Sequence, residues 1–266
     1  MRIDFKNLLF IPATVERLKK VKEINNDVFI FDLEDSILDS DKEEALIRLK
    51  KFFEVNDKKE TKWIVRINLE NIYEEIDYLK ENVDGFLIPK VENTKIIKKI
   101  KKENPNKIIL ALIETPMGII NLKNIVSDSS IDALVFGAED FTSSINMENL
   151  EENLNYIKVK ILLYGKAYNK KVFDTPSFEI KNLEKLERDI EKSKSLGFDG
   201  KLLIHPKQIE IMNKIYKYDY NKIKTIIKKF EESNQGVLCF EDKVYEIAHI
   251  KQLKKILQGE KNEFKR

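Results

Sequence analysis

The sequence predicts a (β/α)8 TIM barrel with a short C-terminal extension, and three observations carry that prediction. The chain has 266 residues, 42% of them hydrophobic, the usual size for one α/β barrel and enough to bury one sizeable core. Short apolar, β-branched runs alternate with longer stretches of helical periodicity, the pattern of parallel strands covered by helices. The first run is followed by Pro12-Ala13-Thr14, where a nucleotide-binding open sheet would carry a glycine-rich turn.

The runs fall at residues 8–11, 28–33, 63–67, 85–88, 108–113, 133–136, 171–173 and 201–204. Amphipathic segments at 15–24, 42–53, 72–81, 94–102, 154–168 and 183–196 lie between them. Eight βα units satisfy a closed barrel, although spacing alone also permits an open doubly wound sheet. The barrel is expected over 1–206. Residues 207–266 form an extension with helices at 207–216, 220–232 and 247–257 and a strand-rich piece at 236–245. This tail is expected to be too short for a core of its own. It should pack on the barrel or on a neighbouring subunit, burying residues such as Val237, Leu238, Phe240, Ile250 and Leu253.

Charge narrows the function classes. Lys+Arg 48 against Asp+Glu 46 leaves a net of +2, with the lysines scattered, so no nucleic-acid footprint follows. The basic stretch from Lys98 to Lys102 is interleaved with Ile96, Ile97 and Ile100 and reads as the wet face of a helix. A single cysteine, Cys239, excludes an intramolecular disulfide and a cysteine-rich zinc site. No apolar stretch reaches signal-peptide or membrane-span length, and the expectation is a cytoplasmic protein without membrane partners.

In a TIM barrel the reactive groups project from the C-terminal ends of the strands. Those ends are rich in carboxylates: Asp32, Glu34 and Asp35 after the second run, Glu114 after the fifth, Glu139 and Asp140 after the sixth, Asp174 after the seventh. Carboxylates converging on one mouth repel unless a cation lies between them, and an oxygen-only donor set points to a hard ion such as Mg²⁺. Glu114 and Asp140, at equivalent depth on adjacent strands, are the preferred ligands; Asp35 and Glu139 serve equally well as helix caps. Where the sequence uses a basic residue it is overwhelmingly Lys, yet inside the apolar run 63–67 it is Arg66. Its fork suits a carboxylate or a thioester enolate oxygen, or else a structural salt bridge to Glu34 or Asp32. Of the two histidines, His205 precedes Pro206 and suits a turn, and His249 lies in the tail; no nucleophile elbow accompanies either.

These strand ends also carry a resemblance. The runs Leu8-Leu9-Phe10-Ile11-Pro12, Phe31-Asp32-Leu33-Glu34-Asp35-Ser36, Arg66-Ile67-Asn68, Ile88-Pro89-Lys90-Val91-Glu92, Leu112-Ile113-Glu114-Thr115 and Phe136-Gly137-Ala138-Glu139-Asp140 resemble, in order, those of the citrate lyase β-subunit-like family. Phe173-Asp174-Thr175-Pro176, Ile204-His205-Pro206-Lys207 and the tail from Gly236 to Glu246 extend the likeness over nearly the whole chain. The resemblance implies a Mg²⁺-dependent lyase that cleaves or forms the C–C bond between an acyl thioester and a 2-oxo acid, on citryl, malyl or citramalyl thioesters. By position, Glu114 and Asp140 match the family's magnesium ligands, and Arg66, Glu114 and Pro116 fall at its substrate site. Glu34 and Asp35 match the acidic pair that supports metal-bound water. Glu246 stands where the family usually has a catalytic Asp delivered from an adjacent subunit, and Ala13 replaces a common Gly.

The resemblance further implies a coenzyme A or carrier-protein thioester and a homo-oligomer, trimer or hexamer, with acyl-carrier and transferase subunits as further partners. Three alternatives stay open: a malyl-type thioester hydrolase, a pyruvate-dependent hydroxy-oxo-acid aldolase, and a subunit active only within a complex. The aldolase usually relies on a histidine near the early strands, and this chain has none before His205.

Overall fold

Eight parallel strands close on themselves in chain order: β1 (Asn7–Pro12), β2 (Val28–Asp32), β3 (Lys62–Arg66), β4 (Gly85–Ile88), β5 (Ile108–Ile113), β6 (Ala133–Phe136), β7 (Lys171–Asp174) and β8 (Gly200–Leu203), with β8 pairing back on β1. The computed structural model describes residues 3–58, 60–148 and 150–263. All eight runs expected from the sequence become these strands, and closure removes the open-sheet alternative.

Side chains alternate across the strands. Leu8, Ile30, Ile64, Leu110, Val135 and Phe173 belong to one buried cluster that fills the barrel. Their neighbours Leu9, Phe31, Val65, Ile109, Leu134 and Val172 belong to the larger cluster between sheet and helices. The helix Leu183–Leu196 ends at Gly197 in the left-handed conformation at φ 107°, a favoured stop for which glycine carries no Cβ penalty. Three short helices, Pro116–Ile120, Leu122–Val126 and Ala138–Ser144, were not foreseen. At five to seven residues they are too short to display a helical period.

The chain divides into two units, Met1–Tyr216 and Lys217–Arg266. The first therefore extends past the expected boundary at residue 206. The reason is the apolar face of helix Lys207–Tyr216, which buries Ile209, Met212 and Tyr216 and packs on helix Leu183–Leu196, β1 and β8. Asn7 Nδ2 donates to Asn213 Oδ1 at 2.6 Å.

The second unit does form a small core, contrary to expectation. Ile223, Ile226, Ile227 and Ile250 are buried together, and Leu238, Phe240, Tyr245 and Leu253 pack against them. They come from helices Tyr220–Ser233 and Ile247–Glu263 and from the antiparallel hairpin β9 (Val237–Phe240) and β10 (Lys243–Glu246). Glu241 and Asp242 make the hairpin turn, both at positive φ, as a two-residue loop between twisted strands requires. Of the apolar tail residues expected to bury against a neighbour, only Val237 is left exposed. Among the described residues no helix is long and apolar enough to cross a membrane.

Candidate active site

The C-terminal mouth of strands β2 to β6 gathers the charged residues. In β3, Ile64 faces the barrel interior while Trp63 and Val65 face outward, so parity turns Arg66 inward at the mouth. Its guanidinium lies over the Phe10 ring, 5.2 Å from the centroid. Nε and Nη2 donate to the two oxygens of Asp32 at 2.6 and 2.7 Å. Nη1 reaches Asp35 Oδ2 at 2.9 Å and Glu34 Oε2 at 3.1 Å. Asp32, which β2 delivers opposite Arg66 in register, thus occupies the fork, and Nη1 is shared with the acidic pair. Burial opposes the charge on Arg66, but hydrogen bonding and charge from Asp32, reinforced by Glu34 and Asp35, raise its pKa above the ordinary value. Asp32 is correspondingly held below the usual carboxylate range, the pull of Arg66 exceeding the penalty of burial.

Lys90 is the residue that sequence reasoning left without a role. Its Nζ donates to Glu34 Oε1 at 2.5 Å, and its backbone N–H donates to Glu114 Oε1 at 2.7 Å. It does so from a left-handed backbone at φ 49°, a conformation that is strained for a side chain and tends to mark functional loops. The only sequence signal was Pro89-Lys90 at a strand end, lost among many lysines.

Glu114 sits at the interior parity position that follows Leu110 and Leu112 and is 1% exposed. Gly137 makes room for it: a Cβ there would lie 2.6 Å from Glu114 Oε2. Burial pushes the Glu114 carboxyl up to about 8, and the nearby charges of Asp140 and Glu34 push the same way against the Lys90 N–H. Glu34 is also raised, chiefly by burial, despite Arg66 and Lys90. Asp140 stands in the first turn of helix Ala138–Ser144, half-buried, with Glu139 exposed beside it. Pro116 opens helix Pro116–Ile120, where the Thr115 side chain accepts the Gly118 N–H and thereby caps the turn that follows Glu114.

Glu246 ends β10 in the second unit, exposed, its N–H donated to His249 Nδ1 at 3.0 Å. His205 accepts the Lys207 N–H at 3.1 Å and anchors the turn before helix Lys207–Tyr216. Asp174 does not face the mouth; it shares the outward parity of Val172 and is buried under the helices. Cys239 is an exposed residue of β9.

Among the described residues no three His, Cys, Asp or Glu side chains form a ready-made metal cage. A hard divalent ion needs less: Mg²⁺ keeps several waters and binds through one or two carboxylates plus substrate oxygens. Glu114 and Asp140 fit that pattern. A carboxyl that holds its proton up to about pH 8 for want of a counter-charge, with a second carboxylate close enough to raise it, is a site that gains from a cation.

Known proteins give an independent view of this geometry. The chain is 29% identical over 260 residues to the (3S)-malyl-CoA thioesterase of Cereibacter sphaeroides, covering 92% of this chain and 91% of that protein. It is 28% identical to the mitochondrial citramalyl-CoA lyase of Homo sapiens, covering 94% and 84%. Its fold matches the crystal structure of CitE from Mycobacterium tuberculosis in complex with magnesium, acetoacetate and coenzyme A, with TM-score 0.81, 21% identity, and coverage of 97% and 99%. The family model for HpcH/HpaI aldolase/citrate lyase matches residues 6–206, the whole closed barrel, and the chain belongs to that family.

Proposed function

We propose that the protein is a Mg²⁺-dependent carbon–carbon lyase acting on a hydroxyacyl thioester of the citryl, malyl or citramalyl type, yielding an acyl thioester and a 2-oxo acid. The observation that carries this reading is the buried Glu114, raised to about 8 beside Asp140, at the mouth of a barrel whose other charges are organised around Arg66. Relatives that act on malyl-CoA and citramalyl-CoA, and a fold neighbour holding magnesium and coenzyme A, support the substrate class.

Glu114 and Asp140 would hold the ion. When bound, Mg²⁺ supplies Lewis acidity to the carboxylate and hydroxyl of the substrate. The protein's own residues do the rest. Asp32 grips one edge of Arg66 through Nε and Nη2, so the guanidinium keeps its orientation and its charge at the mouth. That charge favours electrons arriving on the thioester carbonyl oxygen, which is where an oriented donor accelerates reaction. Glu34 and Asp35 flank both Arg66 and Lys90 and would orient water next to the ion on that side. Cleavage moves the hydroxyl proton to a base and requires an acid at the enolate carbon; Glu246 is the acid–base candidate, supplied by an adjacent subunit of a homo-oligomer. A cytoplasmic location and a coenzyme A or carrier-bound thioester complete the proposal.

A panel of citryl, malyl and citramalyl thioesters, incubated with and without Mg²⁺ and analysed for both products, tests it. A 2-oxo acid and an acetyl thioester, released together in equal amounts and only with metal, are the expected result. Release of free hydroxy acid and thiol would establish hydrolysis instead, and no turnover of any member would overturn the assignment.

A further inference from the structure

We infer that the Thr175 hydroxyl is a positioning group that sets the spacing between Glu114 and Asp140; the inference rests on the reading of those two carboxylates as the cation ligands. The helix Ala138–Ser144, which carries Asp140, begins after Gly137, a residue with no side chain to cap it. Its first N–H, that of Ala138, donates to Thr175 Oγ1 at 3.2 Å, across from the end of β7. On its other side the same helix entry lies against Glu114, where a Cβ on Gly137 would come within 2.6 Å of Oε2. The entry is thus held between one ligand and Thr175, and the second ligand follows it within one helical turn.

Thr175 is itself tied down. Its N–H donates to Asp174 Oδ1 at 2.9 Å, and Asp174 Oδ2 accepts from Lys201 at 2.9 Å and Lys158 at 3.2 Å. Lys201 also pairs with Asp189 at 3.3 Å. Asp174, Lys201 and Lys158 are buried almost completely and join β7, β8 and helix Glu151–Ala167, while Asp189 adds helix Leu183–Leu196. Buried ion pairs are a poor source of net stability, since apolar packing does as well. This one fixes the backbone from which Thr175 reaches the Asp140 helix. Mg²⁺ demands near-ideal bonds of about 2.0–2.1 Å, so a small shift of that helix should weaken it, whereas Ca²⁺ tolerates longer and looser coordination.

Thr175→Val removes the acceptor and keeps the shape; Thr175→Ser keeps the acceptor. Titration calorimetry of the full chain with MgCl2 should show affinity lowered about tenfold or more in Thr175→Val, the scale of groups that orient metal ligands. Thr175→Ser should bind close to the parent, and the Ca²⁺ affinity of Thr175→Val should fall less than its Mg²⁺ affinity. Hydrogen exchange at the Ala138 amide should quicken in the Val variant. If that variant does not fold, Thr175→Ala carries the same expectations. Unchanged Mg²⁺ affinity without the hydroxyl, or an equal loss in Thr175→Ser, would overturn the inference. Glu114→Gln separates the two levels: if it leaves Mg²⁺ binding intact, the ligand assignment itself is wrong. If it abolishes binding while Thr175→Val does not weaken it, only the role of Thr175 falls.

Discussion

Two clusters of charge sit on the same barrel, one at its open mouth and one buried, and they differ in balance. At the mouth, Asp32, Glu34, Asp35, Glu114 and Asp140 outnumber Arg66 and Lys90. In the layer beneath the helices, Asp174 and Asp189 meet Lys158 and Lys201 in equal number. Electrostatics follows the balance. Burial favours the neutral form of Asp174, but the two lysines outweigh it and hold its pKa below the usual range, and Lys201 is raised in return despite its burial. Glu34 and Glu114 are raised by the same burial because their compensation is incomplete. A closed account of charge marks architecture, and a deficit of positive charge marks a place that a cation would stabilise.

The largest effect should come from neutralising the deficit. Glu114→Gln keeps the acceptor for the Lys90 N–H but removes an anionic ligand, and calorimetry should detect no Mg²⁺ binding at concentrations that saturate the parent. The same variant, metal-free at pH 9, should melt above the parent, because it no longer confines an unpaired carboxylate. Asp140→Asn should also lose the ion. Retention of parental Mg²⁺ affinity in both variants would remove them from the ligand set.

Neutralising the balanced cluster should act in the opposite sense. Asp174→Asn leaves two buried lysines without their shared partner, and breaking such a pair costs about 3–5 kcal/mol. Chemical denaturation of the metal-free protein measures it. Equal stability of Asp174→Asn and the parent would mean that water or Asp189 replaces the carboxylate, and the contrast between the clusters would be lost.

The sequence disclosed the mouth better than the scaffold behind it. Strand ends in a barrel have a known polarity, so Glu114 and Asp140 could be picked out from their place after apolar runs, and Arg66 from its place inside one. The same rule failed at Asp174, whose outward parity with Val172 becomes evident only once the strand is placed. Lys90 was hidden because its contribution is a backbone N–H in a left-handed conformation, which residue type does not encode for lysine. Thr175 was likewise visible only through a contact to Ala138 that spans 37 positions. In the tail, the strand-rich piece at 236–245 was legible, but its fold into a hairpin and the four-isoleucine core depend on how the strands pair and the two helices meet, which periodicity leaves open.

The most graded test of the charge deficit is pH. Glu114 has its folded pKa raised to about 8 from 4.5, so between those values the folded chain binds more protons than the unfolded one. Stability from this group is therefore full below pH 4.5 and is lost as pH rises through about 8, with Glu34 contributing in the same direction. Metal binding runs the other way, since the ion requires the carboxylate and releases its proton. Mg²⁺ affinity should rise about tenfold per pH unit up to about 8 and then level off, with close to one proton released per ion bound below that point. Calorimetry in buffers of differing ionisation enthalpy counts that proton directly. In Glu114→Gln the proton release should vanish with the binding, whereas Asp174→Asn, if it folds, should bind more weakly through the loosened Thr175 yet still release a proton for each ion bound. An affinity flat from pH 6 to 9 in the parent would show that Glu114 is already ionised before the metal arrives, and the mouth would then hold no charge deficit for a cation to fill.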